Sequence, residues 1–338
     1  MTVTTIGIDL AKRVFQVHGV DQHGTCVLRK RLSRSELVPF IAKLPPCRIG
    51  MEVCGGANYW SRRFRGFGHE VRLMSPQFVK PYVKTNKNDT NDAEAICEAV
   101  SRPTMRYVIP KTIDQQDLQS LHRVRQRLIQ SRTALVNQIR GLLAEYGLVV
   151  PKHIGPLRRQ LPTFLADSTN ELTPLGRETF AQLYDELVAS DTRIHQIDTR
   201  LKQWCSANEV CQRLLQLEGI GPLIATAIVA AVGDPLAFKN GRQLAAWLGL
   251  VPRQRSSGDR CLLLGISKRG DRYLRTLLIH GARAVVWRAG TKTDARSRWI
   301  ANKRACRGIN RTCVAVANKN ARIIWALLAK GEAYRKAA

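Results

Sequence analysis

Two long runs of apolar residues at helical spacing constrain this chain more than any other feature. From Leu118 the first continues through Leu121, Val124, Leu128, Leu135, Ile139, Leu142 and Tyr146, in steps of three, four and seven. Phe180, Leu183, Leu187, Ile194, Ile197, Leu201 and Trp204 repeat the pattern. Each series marks one face of a long helix. Pro151, Pro156, Pro162 and Pro174 fall between them, which predicts a connection over residues 151–175. Residues 111–219 hold 14 Lys/Arg and 12 Asp/Glu, a net charge of only +2. Two near-neutral helices of this length read as an antiparallel coiled-coil arm over residues 111–210. An intramolecular bundle and a dimerising arm would carry the same pattern.

The flanking thirds differ from the arm and from each other. Residues 1–110 read as a layered α/β domain. "TVTTIGIDLA" opens with a β-branched run, and "VFQVHGV" and "TCVLRKRL" make a hairpin across the turn signal "DQHG". "SRSELVPFIAKL" is helical with Ser33 or Ser35 as cap, "CRIGMEVC" and "HEVRLM" are strands, and "GANYWSRRFRGFG" is a helix between them. Residues 211–338 read as mainly α. "LEGIGPLIATAIVAAVGDP" places Gly219 and Gly221 at a tight turn before an Ala-rich helix, in the manner of a helix-hairpin-helix.

Charge narrows the class of partner. The whole chain is +28, of which residues 220–338 contribute 23 Lys/Arg against 5 Asp/Glu. Such an excess, rich in arginine, suits a polyanion. No apolar span reaches membrane length and no signal-peptide pattern opens the chain, so nucleic acid is favoured over a membrane. Nine scattered cysteines without a CxxC pair indicate neither a zinc ribbon nor a disulfide framework, and fit a reducing cytoplasm.

Within this basic chain two sets of residues carry chemistry. Asp9 and Glu52 each follow an apolar strand, at the strand mouth where α/β sheets place their sites. Asp89 and Asp92, in "NKNDTNDAEAICEA", stand three apart at a helix start and share one face. Acids in a first helical turn also serve as caps and dipole partners, and strand-end acids also occur on plain surfaces. Together the four carboxylates could hold Mg²⁺, with Mn²⁺ as a substitute, for phosphoryl displacement. The second set is "PRQRSSGDR", read as a loop. Ser256 and Ser257 lie there among Arg253, Arg255 and Arg260, a cradle suited to a phosphodiester. Lys268, Arg269, Arg272 and Arg275 follow in "SKRGDRYLR" and read as phosphate contacts.

"GIDLAK", "MEVCGGANYW", "NKNDTNDAEAICEA", "LEGIGPLIATAIVAAVGD" and "AAWLGLVPRQRSSG…SKRGDRYLR" occur in this order along nearly the whole chain. Together they resemble the DEDD transposases of bacterial insertion sequences, the IS one-ten family that includes the pilin-gene invertase and the bridge-RNA-guided recombinases. The resemblance implies an N-terminal RuvC-like, RNase H-type domain whose acidic tetrad falls on Asp9, Glu52, Asp89 and Asp92. It implies a C-terminal transposase domain, residues 211–338, whose nucleophilic serine falls on Ser257. Ser256 stands where relatives often carry an acid, and the residues themselves leave either serine open. It further implies a covalent serine–DNA intermediate assisted by Mg²⁺, donor and target DNA as substrates, and a bridge RNA as guide. The assembly implied is a homo-oligomer, dimer to tetramer, whose composite site draws on different subunits.

Two other readings compete. A structure-specific nuclease of the junction-resolvase kind would use the four acids alone, with Ser257 as a phosphate contact. An architectural nucleic-acid-binding protein would use neither set for catalysis.

Overall fold

The computed structural model describes residues 2–84 and 88–335, in two compact units, Met1–Ile113 and Asp114–Ala338. Part of the asparagine-rich turn before Asp89, residues 85–87, lies outside the described residues.

In the first unit, β1 (Thr5–Asp9), β2 (Val14–Val20) and β3 (Cys26–Ser33) form an antiparallel meander. The β2–β3 turn is built locally. The Asp21 carboxylate accepts from the amides of His23 (2.9 Å) and Thr25 (3.0 Å), and Gly24 takes φ +82°. Ser33 then caps α1 (Arg34–Ala42) in a reciprocal capping box with Glu36. β4 (Arg48–Glu52), α2 (Ala57–Arg65) and β5 (Glu70–Met74) follow, with β4 parallel to both β1 and β5. After the short α3 (Pro76–Val79) comes α4 (Asp89–Val100), and β6 (Tyr107–Val108) closes the sheet as an antiparallel edge. The strand order is β3-β2-β1-β4-β5-β6.

The alternation of side chains divides the sheet between two layers. Ile6, Ile8, Ile49, Met51, Val71 and Leu73 pack with α1 and α2 residues such as Leu37, Ile41, Trp60 and Phe64. On the opposite face Gly7 and Gly50 lie under α4. A Cβ on Gly7 would fall 2.2 Å from the Ala93 carbonyl oxygen and 2.4 Å from the Cys97 nitrogen. Only a glycine lets the helix backbone come so close to the strand.

In the second unit the two apolar series become α5 (Ile113–Ala144) and α7 (Pro174–Ala207). They run antiparallel. Leu118 packs with Ile197 and Leu201, while Leu135, Ile139 and Leu143 share a cluster with Phe180 and Leu187. Arg125–Asp198 and Arg132–Asp191 ion pairs join the two helices. The face is turned slightly from the predicted one, since Val136 and Leu143 are buried whereas Val124 and Leu142 are exposed. The proline-rich connection also holds a helix, α6 (Ile154–Ala166). Its Leu157 and Leu161 have 0% exposure, so burial of an apolar stripe outweighs the helix-breaking tendency of Pro162.

The remainder is a helical body. α8 (Glu209–Leu215) and α9 (Pro222–Ala231) flank a turn in which Gly219 takes φ +86° against the backbone of Gly281. α10 (Gly241–Trp247) precedes a two-stranded hairpin, β7 (Pro252–Ser257) and β8 (Arg260–Ile266). α11 (Arg272–Arg288) and α12 (Ala295–Lys330), kinked at Gly308, complete the core with Leu274, Leu278, Val286, Ile300, Val316 and Ile324. No helix among the described residues is long and apolar enough to cross a membrane.

Candidate active site

The first half of the site lies at one end of the sheet. Ile8 of β1 pairs with Met51 of β4, so the next residues, Asp9 and Glu52, end neighbouring parallel strands side by side. Both are partly buried. The Cys54 side chain lies within electrostatic reach of both. Its thiol is held above the usual range first by burial of the sulfur, although the residue as a whole is exposed, and then by the carboxylates of Asp9 and Glu52.

The direction of α4 brings the second acidic pair to the same end. Cys97 Sγ donates to the carbonyl of Thr5 (3.7 Å), and Ala93 and Cys97 together straddle Gly7. Following α4 toward its N-terminus therefore follows β1 toward Asp9, and the first turn, with Asp89 and Asp92, comes last. Capping is done by another residue. The Asn88 side chain accepts from the Asn91 amide at 2.7 Å, and the Asn88 carbonyl accepts from the Asp92 amide at 3.0 Å. Further along the helix, Glu94 pairs with Arg29 and Lys84, and Glu98 with Lys84 and Arg102. No ion pair among the described residues engages Asp89 or Asp92. Nor do any three His, Cys, Asp or Glu side chains among them surround a point as cation ligands. The topology carries all four acids toward one end of the sheet, with Asp9 and Glu52 on neighbouring strands.

The serine segment is a strand and not a loop. Ser257 ends β7, pairs with Arg260 across a two-residue turn, and is followed by Gly258 at φ +53°. Directly opposed residues share a face, and successive residues alternate. Arg255 pairs with Leu262 and Ser257 with Arg260, which puts Ser257 on a face with Arg255 and Arg260. Ser256 pairs with Cys261 on the other face, where Gln254 Nε2 donates to Ser256 Oγ (2.7 Å) and to Cys261 Sγ (3.4 Å). Arg253 lies at the register shift between Pro252 and Gln254. The whole of β7 is exposed. A Gly-Asp pair between two extended runs is a hairpin signal, and it was available in the sequence.

Of the four basic residues beyond the hairpin, Lys268, Arg269 and Arg272 are exposed and available to a polyanion. Arg275 departs from its expected role as a phosphate contact. It is 8% exposed, and its Nη1 donates to the carbonyls of Arg269 (2.8 Å) and Leu248 (3.2 Å). Those carbonyls belong to two backbone turns in near contact. A Cβ on Gly249 would meet the Arg269 oxygen at 2.2 Å, and one on Gly270 the Trp247 oxygen at 1.9 Å. Arg275 therefore bolts the Lys268–Arg269 loop to the end of α10. Periodicity could have hinted at this, because Arg275 follows Leu274 and precedes Leu278 on the inward side of α11.

A mixed sheet with carboxylates at one end in the first unit, and a helical, strongly basic second unit, are the features of a nuclease-like protein that acts on nucleic acid. The comparisons agree with that class. Residues 6–148 match a DEDD-type family described as "Transposase", and residues 211–298 match the "Transposase IS116/IS110/IS902 family". A "Probable family 20 transposase" of Pseudomonas aeruginosa is 52% identical over 337 residues, covering 99% of both chains. The "Transposase for insertion sequence element IS1111A" of Coxiella burnetii is 50% identical, covering 98% of this chain and 92% of its own. The corresponding transposase of IS1328 from Yersinia enterocolitica is 41% identical over 99% of both. The chain belongs to the IS110/IS116/IS902 family of insertion-sequence transposases, which are enzymes acting on DNA.

Proposed function

We propose that this transposase breaks and rejoins DNA through a covalent intermediate on Ser257, with Asp9, Glu52, Asp89 and Asp92 holding a divalent cation, Mg²⁺. The observation that carries this reading is the hairpin geometry. Ser257 alone of the two serines shares its face with Arg255 and Arg260, whereas Ser256 is engaged by Gln254. In the step itself the Ser257 Oγ–phosphorus bond forms, a phosphorus–oxygen bond of the strand breaks, the serine proton passes to solvent, and the departing oxygen takes a proton. Arg255 and Arg260 stabilise the charge that builds on the non-bridging oxygens. When bound, the cation would polarise a phosphate oxygen and neutralise developing charge.

Donor and target DNA are the substrates in this reading, and Arg253, Lys268, Arg269 and Arg272 hold their phosphates. The α8–α9 turn adds backbone amides as a helix-hairpin-helix would. The α5–α7 arm serves assembly into a dimer or tetramer, and its near-neutral charge is the support for that role. A bridge RNA as guide rests on the family resemblance and on the basic second unit, and sequencing RNA that co-purifies with the protein tests it.

The serine step is tested by trapping the full-length protein on nicked DNA and analysing the nuclease-trimmed product by mass spectrometry. A nucleotide adduct on Ser257, absent in Ser257→Ala and retained in Ser256→Ala, is the expected result. Cleavage with free ends in both alanine variants would instead make this a metal-dependent nuclease.

A further inference from the structure

An exposed tryptophan stands in the most basic stretch of the second unit, away from the hairpin. Trp287, near the end of α11, is 60% exposed, and Arg304 of α12 lies over its ring at 5.1 Å from the centroid. Residues 283–311 carry nine Lys/Arg against a single acid, Asp294. Arg283, Arg288, Lys303, Arg304 and Arg307 are all exposed, and among the described residues none of them makes an ion pair. Residues 301–308 are exposed without interruption, so this stretch of α12 has no apolar face to bury. Packing within the unit does not explain this surface.

From this juxtaposition we infer that Trp287 is a stacking platform for an unpaired base of the DNA substrate, with the surrounding arginines and Lys303 holding the strand's phosphates. Phosphate binding alone has no use for an exposed indole, which presents an apolar face and one donor. An aromatic ring within a basic surface is what single strands use, because every base offers a π-face and every linkage a charge. Arg304 covers one face of the indole and fixes its orientation, so less freedom is lost when a base meets the rest of the ring. A second copy of this chain is a poor occupant. It would bring two surfaces of the same strong charge together. Joining a strand to a new partner, the exchange proposed above on which this inference rests, takes it out of its own duplex, and unpaired bases arise there.

The experiment measures binding of the full-length protein to a labelled oligothymidylate of about sixteen nucleotides, to a duplex, and to an oligouridylate of the same length. Trp287→Ala should weaken oligothymidylate binding about ten- to a hundredfold, leave duplex binding within about twofold, and remove part of the tryptophan quenching seen on saturation. Trp287→Phe should recover most of the affinity, because the ring is retained. The salt dependence should be unchanged in Trp287→Ala and flatter in Arg304→Gln, since only the second removes a charge. Several results would overturn the inference. One is unchanged single-strand affinity, and another is equal loss on duplex. Trp287-dependent binding much tighter to the oligouridylate would make this an RNA surface, and a fall in oligomeric mass in Trp287→Ala would make it a subunit interface.

Discussion

Gly7→Ala tests whether the seat of α4 on β1 sets the acidic site. The added methyl would lie 2.2 Å from the Ala93 oxygen, 2.4 Å from the Cys97 nitrogen and 2.8 Å from the Cys97 Cβ. The first two are backbone atoms, so no rotamer change relieves the clash. Ordinary contact needs roughly 3.5 Å, so α4 must back away by about 1 Å or more. Overpacking of this kind costs about 1–3 kcal/mol, which a unit of this size can survive. The functional loss should be larger, because Asp89 and Asp92 ride on the helix, and a displacement of about 1 Å can cost a hundredfold in rate. Gly50→Ala is the control. Its obstacles are the side-chain atoms of Val100, Cβ at 2.7 Å and the two Cγ atoms at 3.0 and 3.1 Å, and Val100→Gly in the same chain should remove them. Mg²⁺-dependent strand cleavage and thermal unfolding would be measured for all three variants. Gly7→Ala should be folded, slightly less stable and nearly inactive, and the Gly50→Ala/Val100→Gly pair should regain activity lost in Gly50→Ala. A folded Gly7→Ala enzyme that cleaves at the normal rate would show that the position of α4 does not govern the acids.

Two further outcomes follow from the second unit. The His122 ring is buried between Thr226, bonded to Nε2 at 3.1 Å, and Tyr273, bonded to Nδ1 at 3.0 Å. Burial, assisted by Arg125 and opposed by Asp198, lowers its pKa from 6.5 to about 4. The neutral ring therefore contributes stability that is fully present above pH 6.5 and is lost as pH falls toward 4. The whole effect is worth up to about 3 kcal/mol. Urea unfolding should show that loss in the parent and less of it in His122→Gln, and identical pH profiles would refute the assignment. For the loop beside the hairpin, Arg272→Gln should reduce the log–log salt slope of duplex binding by about 0.9 without changing stability. Arg275→Met should leave the slope alone and cost about 2 kcal/mol, because two buried carbonyls lose their donor. A reversed pattern would return Arg275 to the DNA surface.

Much of this protein follows from local chemistry that the sequence displays. Alternation and turn residues determined β1 to β5, because Asp21 and Gly24 build their turn without help from distant segments. The spacing of leucines and isoleucines determined α5 and α7, and Ser33 with Glu36 determined where α1 begins. Strand-end placement also singled out Asp9 and Glu52 before any pairing was known. Tertiary structure decided what depends on partners remote in the chain. That Asp9 and Glu52 are neighbours rests on the parallel pairing of β1 with β4, which 5-residue segments cannot announce by themselves. The reason Gly7 must be glycine is the backbone of α4, more than eighty residues away. The separation of Ser256 from Ser257 needed the register of β7 on β8, since a one-residue slip would exchange their faces. Arg275 reads as one more cation in a basic run, and only the approach of the Gly249 and Gly270 turns gives its guanidinium two carbonyls to join. Sequence records which groups are present and their local period, whereas burial and register are properties of the assembled chain.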